Sequence, residues 1–287
     1  LAAQKLVSVD KVDVIISMWG QASSVIVPRL KGTDIINLGI DRWGNPFKEY
    51  RNDFIVGPGV EMYAQKMIVA LKALKIKKLA MMTSALQGPL AYDNRLKVLL
   101  KENNIELVYY SMLPADIRDF RTAILKIREA NPDAVMNDLM APQTELFQKQ
   151  MSELKYSPMV ISPSAFLIDV SPQFKEGAFY TLNASPDKDF VERFKKTMGE
   201  EPKYLAPFTY DALSMLIAAA ERLPGDKKPK NDEIAAELRK TKDFPASLGV
   251  TSFQAPNVLS SPVAFYLIKG GKAEEVTLDE LVKYYNK

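Results

Sequence analysis

The sequence contains no cysteine and no histidine among its 287 residues. Without thiols and imidazoles the chain cannot form disulfides, cysteine nucleophiles or Ser-His-Asp triads, and nearly every kind of zinc site is excluded. It also lacks an apolar run of about 18 residues, the length that a membrane-spanning helix needs. The nearest candidate, 213–220, is interrupted by Ser214 and followed by Glu221. These absences exclude much hydrolytic and redox chemistry and predict that the chain is not an integral membrane protein.

The composition is that of an ordinary folded protein, with 47% hydrophobic and 25% charged residues. Lys and Arg number 38 against 35 Asp and Glu, which gives a net charge of +3. This excess is too small and too evenly spread to indicate binding to a phosphate backbone, so no nucleic-acid partner is predicted. The length predicts one large domain or two lobes.

Short apolar runs alternate along the chain with longer segments of helical periodicity, the pattern of a parallel sheet with helical crossovers. The predicted strands are 12–16, 35–38, 79–82, 105–109, 134–136 and 159–161. The predicted helices between them are 60–75, 89–103, 117–130 and 143–154, and Asp116 is the expected N-cap of the third. The predicted fold class is therefore α/β, with doubly wound parallel sheets.

The alternation stops after Pro186. Three helices in succession are predicted there, at 188–198, 209–222 and 231–240. A strand at 263–268, the turn at Gly270-Gly271 and a strand at 274–276 then predict a hairpin, because glycine reaches the positive φ of such turns without strain.

Ligands of open parallel sheets bind at the carboxyl ends of the strands, so the loops there are the candidate site. The first loop offers Trp19, Gln21, Ala22 and Ser23. Ser23 or Ser24 is expected to cap a helix. The cap is either purely structural or part of a site where free N–H groups of the helix face an anion. The second loop offers Gly39, Ile40 and Asp41; Asp41 can equally form a surface ion pair with Arg42.

The later strand ends add Leu86 and Gln87, then Met140 and Ala141, and finally Ser164 and Phe166. None of these loops places a nucleophile beside a base, and Gly57-Pro58-Gly59 lacks the third glycine of a dinucleotide loop. We therefore predict binding without chemistry: no enzyme, no catalytic residue, no metal and no cofactor.

Several short segments, in this order and spacing, resemble the type I periplasmic binding proteins, specifically the branched-chain amino acid (Leu/Ile/Val) type of substrate-binding protein of ABC transporters. They are 11–16, 45–54, 119–121, 131–135, 210–213 and 248–253. The resemblance covers essentially the whole chain. It implies two α/β lobes joined by a hinge, a ligand held in the cleft between them, a membrane permease as partner and a periplasmic or extracytoplasmic location. The lobes it implies are 1–75 with 186–258, and 76–185 with 259–287.

The resemblance also implies roles for individual residues. Ala22 and Ser23, with the 39–41 loop, would hold the carboxylate of the ligand. The family usually has an aromatic residue just before the glycine that matches Gly88, and an acid for the ligand's ammonium. Here Leu86 and Gln87 replace the aromatic residue, and neither 139–142 nor 164–166 contains an acid.

A buried ammonium without a carboxylate costs several kcal/mol. We therefore expect an acidic or neutral organic ligand with an apolar body, such as an aliphatic or aromatic carboxylate, unless Asp41 is the partner of an amino acid's ammonium. The alternative function is a ligand-sensing domain of a receptor or an amide-type regulator with the same fold. Family members normally carry a further strand, helix and strand before the segment that matches Leu1, and we expect the molecule to contain them although the printed sequence does not.

Overall fold

The computed structural model describes residues 2–40, 47, 49–114, 116–163, 170–225, 227–254 and 257–286. The chain divides into two compact units. Unit 1 comprises Leu1–Gly59 and Asn183–Pro262, and unit 2 comprises Val60–Leu182 and Val263–Lys287. These boundaries differ from those of the predicted lobes: 60–75 groups with unit 2, whereas 183–185 and 259–262 group with unit 1.

The secondary-structure elements follow one another in this order: α1 (Ala2–Ser8), β1 (Val14–Met18), α2 (Trp19–Ile26), a 3₁₀ turn (Val27–Leu30), β2 (Ile36–Ile40), β3 (Asp53–Val56), α3 (Val60–Ala73), β4 (Lys78–Ser84), α4 (Gln87–Glu102), β5 (Glu106–Leu113), α5 (Arg121–Ala130), β6 (Ala134–Asp138), α6 (Gln143–Glu153), β7 (Met159–Ser162), α7 (Pro172–Lys175), β8 (Phe179–Asn183), α8 (Lys188–Met198), α9 (Ala206–Glu221), α10 (Asn231–Arg239), β9 (Phe244–Ala246), β10 (Gly249–Gln254), β11 (Val258–Ser260), β12 (Val263–Lys269), β13 (Lys272–Val276) and α11 (Leu278–Tyr285).

The sheet of unit 1 has the strand order β1-β2-β3-β11-β10-β9. β1, β2, β3 and β11 run parallel, and β10 and β9 continue the sheet antiparallel. All residues of β2 and β3 are buried, as strands covered on both faces should be. Phe54 and Leu38 pack with Phe208 and Met215 of α9 and Leu238 of α10, so these two helices cover the sheet.

The sheet of unit 2 has the order β13-β12-β8-β7-β6-β4-β5. β5, β4, β6, β7 and β8 are parallel, and β12 and β13 form an antiparallel hairpin. β4 and β6 are interior strands of this sheet, and all of their residues except Lys78 are buried. Both sheets are mostly parallel with helical crossovers, so the predicted α/β class is confirmed.

All of the strands predicted at the sequence level are present, and so is the hairpin around Gly270-Gly271. The prediction for the third helix is wrong at its start. α5 begins at Arg121, its N-cap is Phe120, and no side chain caps it, so Asp116 does not fill that role. The reason is a tertiary contact: Gln150 Oε1 accepts from the Phe120 N–H at 2.7 Å, and Gln150 Nε2 donates to the Arg118 carbonyl at 2.8 Å.

Across the described part of the chain, no helix combines the length and apolar character needed to cross a membrane.

Candidate functional site

In unit 1 the first two candidate loops meet at one edge of the sheet. β1 and β2 pair in parallel with Ser17 opposite Gly39 and Met18 opposite Ile40. The next residues of β1 lead directly into α2, where Trp19 is 55% exposed and Gln21 and Ala22 are also exposed. Gly39 and Ile40 are buried within β2, and Asp41 lies outside the described residues.

The predicted capping role of Ser23 or Ser24 is wrong. α2 begins at Trp19, four residues before Ser23, and its N-cap Met18 provides no side-chain hydrogen bond. Trp19 adopts φ 59°, which turns the chain from strand to helix within one residue. Ser24 lies in the helix body and its hydroxyl donates to the Gln21 carbonyl at 2.8 Å.

Ser23 belongs instead to a buried chain of polar side chains that crosses β1, β2 and β3. Its hydroxyl lies 3.0 Å from Ser17 Oγ, and Ser17 Oγ donates to Asn37 Oδ1 at 3.0 Å. Asn37 Nδ2 donates to Asp53 Oδ1 at 2.8 Å. The four side chains are between 0% and 2% exposed. We call this set, Ser23, Ser17, Asn37 and Asp53, the unit 1 polar chain.

The second oxygen of Asp53 serves another segment. Asp53 Oδ2 accepts from the Phe47 N–H at 2.8 Å, and Phe47 is the first described residue after β2. Asn37 and Asp53 were not singled out from the sequence. The signal was present, because Asn37 interrupts an otherwise apolar run in Ile35-Ile36-Asn37-Leu38, where a buried polar side chain needs a partner.

In unit 2 the loops after β4 and β6 also meet, since these strands are neighbours with Thr83 opposite Asp138. Ser84 Oγ accepts from the Met140 N–H at 3.2 Å and so joins the two loops. Leu86 is half-buried, whereas Gln87, Met140 and Ala141 are exposed. Of the residues predicted for the last loop, Ser164 and Phe166 lie outside the described residues.

Behind this edge of unit 2 lies a pair of buried carboxyls, Asp138 at the end of β6 and Asp93 in α4, both 0% exposed. The Thr83 hydroxyl donates to Asp138 Oδ2 at 3.3 Å and also lies against Asp93. One hydroxyl carries one proton and cannot donate to both carboxyls at once. Sequence reasoning missed the pair, because the two residues are 45 positions apart along the chain (138 − 93).

The surroundings favour the neutral form of these acids. Burial raises the pKa of Asp93 to about 6, against the smaller lowering effects of Thr83, Tyr110 and Lys97. Burial, and next the charge of Asp93, raise the pKa of Asp138 well above its ordinary value. The pair therefore retains a proton at pH values where exposed carboxyls have lost theirs.

No group of three or more acidic side chains placed to hold a metal ion occurs within the described residues. The two strand-end edges instead present mainly neutral surface from Trp19, Gln21, Ala22, Met140 and Ala141. Such surface binds a small organic molecule through shape, apolar contact and hydrogen bonds.

Comparison with known families identifies the chain. Residues 1–273 match the family model described as periplasmic binding protein. The chain belongs to the periplasmic binding protein family. The predicted resemblance to the type I proteins of this family is thereby confirmed, and the family is one of solute-binding proteins rather than enzymes.

The similarity extends to proteins of the branched-chain amino acid type. The Leu/Ile/Val-binding protein homolog 7 of Brucella abortus is 21% identical over 252 residues, which cover 78% of this chain and 63% of that protein. This periplasmic binding protein thus spans less than two thirds of the length of the curated relatives that it matches.

Two solved structures show the same fold. A leucine-binding protein, LivK, from Thermotoga maritima superposes with a TM-score of 0.83 at 22% identity, covering 96% of this chain and 82% of that one. A solute-binding protein of an ABC transporter from R. palustris, in complex with benzoate, gives a TM-score of 0.78 at 17% identity, covering 96% and 79%.

Proposed function

We propose that this periplasmic binding protein is the extracytoplasmic solute-binding component of an ABC importer and captures a small organic carboxylate. Membership of the family supports a binding role, and the relatives of branched-chain amino acid type support a ligand of amino-acid size. The permease of the importer is the proposed protein partner.

The observation that carries the choice of ligand is the charge at the two strand-end edges. The exposed candidate residues, Trp19, Gln21, Ala22, Gln87, Met140 and Ala141, are all neutral. The buried acids Asp53 of unit 1 and Asp93 and Asp138 of unit 2 are 0% exposed. None of these three is placed at the surface to meet an ammonium group, and burial favours the neutral form of Asp93 and Asp138.

A ligand with an ammonium group would therefore lose its hydration without gaining a counter-ion from these acids. A carboxylate with an apolar body makes no such demand. Each unit by itself offers apolar contact for such a body: unit 1 has the amphipathic ring of Trp19, and unit 2 has the polarisable thioether of Met140. The benzoate complex of the R. palustris protein shows that a protein of this fold binds such an acid.

Native mass spectrometry of protein purified from its host tests the proposal. We expect a retained small molecule that dissociates as an organic acid without an amine, and calorimetric titration of the emptied protein with that acid should restore it. Recovery of leucine, valine or another amino acid would contradict the proposed ligand class. Conversion of the added acid to a different product would contradict the binding role itself.

A further inference from the structure

The unit 1 polar chain has a direction that its chemistry fixes. Asp53 is an acceptor only, so the group facing its Oδ1 must be the Asn37 amide nitrogen, at 2.8 Å. Asn37 Oδ1 then faces Ser17 and takes the Ser17 hydroxyl proton, at 3.0 Å. Ser17 has no second proton, so at the 3.0 Å contact with Ser23 it is the Ser23 hydroxyl that donates.

Consequently the proton of Ser23 is directed into unit 1. The resemblance implied that Ser23 holds the ligand's carboxylate, which requires its hydroxyl to donate outward. Ser23 is 0% exposed and its single proton is already donated to Ser17. Its role in this geometry is to attach α2 to the end of β1.

Asp53 connects two parts of unit 1 through its two oxygens. Through Oδ1, Asn37 and Ser17 it holds Ser23 in α2, the helix that carries Trp19, Gln21 and Ala22. Through Oδ2 it accepts from the Phe47 N–H. One buried carboxyl group thus links α2 to the backbone at Phe47.

We propose that Asp53 is a positioning residue, which fixes α2, with its candidate residues Trp19, Gln21 and Ala22, in the arrangement used for ligand binding. Its effect on ligand affinity rests on the proposed function, whereas its effect on the position of α2 does not. The two can therefore be tested separately, in the full chain.

The first variant is Asp53→Asn, which keeps the size and replaces one acceptor by a donor. Either the Asn37 nitrogen or the Phe47 N–H then faces an NH₂ group, and one bond is lost. We expect amide hydrogen exchange at Phe47 or across α2 to accelerate at least tenfold. Affinity for benzoate or 4-methylpentanoate, measured by calorimetry on folded protein, should fall at least tenfold.

The rescue variant is Asp53→Asn combined with Asn37→Asp. The new amide at position 53 accepts from the Phe47 N–H and donates to the new carboxylate at position 37, which still accepts from Ser17. Every bond of the chain is restored; the bond between positions 37 and 53 is reversed in direction, and the other directions are unchanged. We expect exchange and affinity to return to within about threefold of wild type, as coupling between neighbouring residues requires.

The matched control is Asp211→Asn in the same unit. Asp211 is 3% exposed and accepts from the N–H and the hydroxyl of Ser247, at 2.8 and 2.9 Å. It loses comparable bonds, so a general loss of stability would be similar. Exchange at Phe47 and α2, and the affinity for either acid, should not change.

Unchanged exchange in Asp53→Asn, equal effects in Asp211→Asn, or failure of the double variant to restore protection would each overturn the positioning role. If wild type binds neither acid, the proposed ligand class fails. The exchange results then still decide whether Asp53 positions the two segments.

Discussion

The two units surround their buried carboxyls with different hydrogen-bond donors. In unit 1, Asp53 receives an N–H donor on each oxygen, from Asn37 and from the Phe47 backbone. In unit 2, the hydroxyls of Thr83 and Tyr110 lie against Asp93, Thr83 also donates to Asp138, and burial raises the pKa of both acids. Equal burial is therefore combined with different donors, and the hydroxyl donors of unit 2 do not offset the effect of burial on the pKa.

The variant expected to have the largest effect gives unit 1 a pair of buried acids, like the pair in unit 2. Asn37→Asp alone places two carboxyls face to face at 0% exposure and removes the amide donor to Asp53. Breaking a buried charged contact in this way costs about 3 to 5 kcal/mol. Urea unfolding should show a loss of that size at pH 8. A loss below about 1 kcal/mol would mean that Asp53 does not need the Asn37 donor.

The next variant replaces both buried acids of unit 2, Asp93 and Asp138, by amides. A raised pKa in the folded state means that stability is highest below the unfolded pKa of about 4 and is lost as the pH rises through the folded pKa. For Asp93 this loss extends to about pH 6, and for Asp138 it continues above its ordinary range. Asp93→Asn with Asp138→Asn should therefore stabilise the protein at pH 8 by on the order of 2 kcal/mol.

The measurement is urea unfolding of this double variant and of wild type from pH 4.5 to 8. The difference in unfolding free energy should approach zero at pH 4.5 and grow as the pH rises. Asp119→Asn provides the control, because its carboxyl lies exposed on the surface of the same unit. A difference that does not depend on pH would contradict the conclusion that Asp93 and Asp138 retain a proton.

A smaller difference in stability is expected between two hydroxyl variants of unit 1, at Ser17 in the polar chain and at Ser24 in α2. Ser17→Ala interrupts the polar chain between Ser23 and Asn37, and the loss of one buried hydrogen bond costs about 1 to 2 kcal/mol. Ser24→Ala removes a hydroxyl that bonds only its own helix, and should cost less than about 0.5 kcal/mol. Thermal unfolding of the two variants makes the comparison, and equal losses would show that Ser17 carries no special weight.

The sequence predicted most of the parallel strands because they are continuous apolar runs. β4 and β6 are examples, and burial on both faces explains their composition. β3 was missed because it has only four residues and begins with Asp53. β9 and β10 were missed because they pair antiparallel, without the apolar run of a doubly covered strand, and β11 was missed because it has only three residues.

The candidate site was predictable as a set of loops and not as a set of contacts. Trp19 and Met140 are exposed at strand ends, as the position of each after an apolar run indicated. The side-chain bond between Asn37 and Asp53 joins residues 16 positions apart, and the bond between Thr83 and Asp138 joins residues 55 positions apart. Such distances along the chain leave no periodic signal, so only the fold brings these residues together.

The central proposal is that the site accepts a carboxylate and that none of its described residues is a counter-ion for an ammonium group. Calorimetric titration with leucine and with 4-methylpentanoate tests it directly, since the two ligands differ only by the amino group. We expect 4-methylpentanoate to bind at least about 100-fold more tightly than leucine, which corresponds to roughly 3 kcal/mol. Equal or tighter binding of leucine would contradict the account.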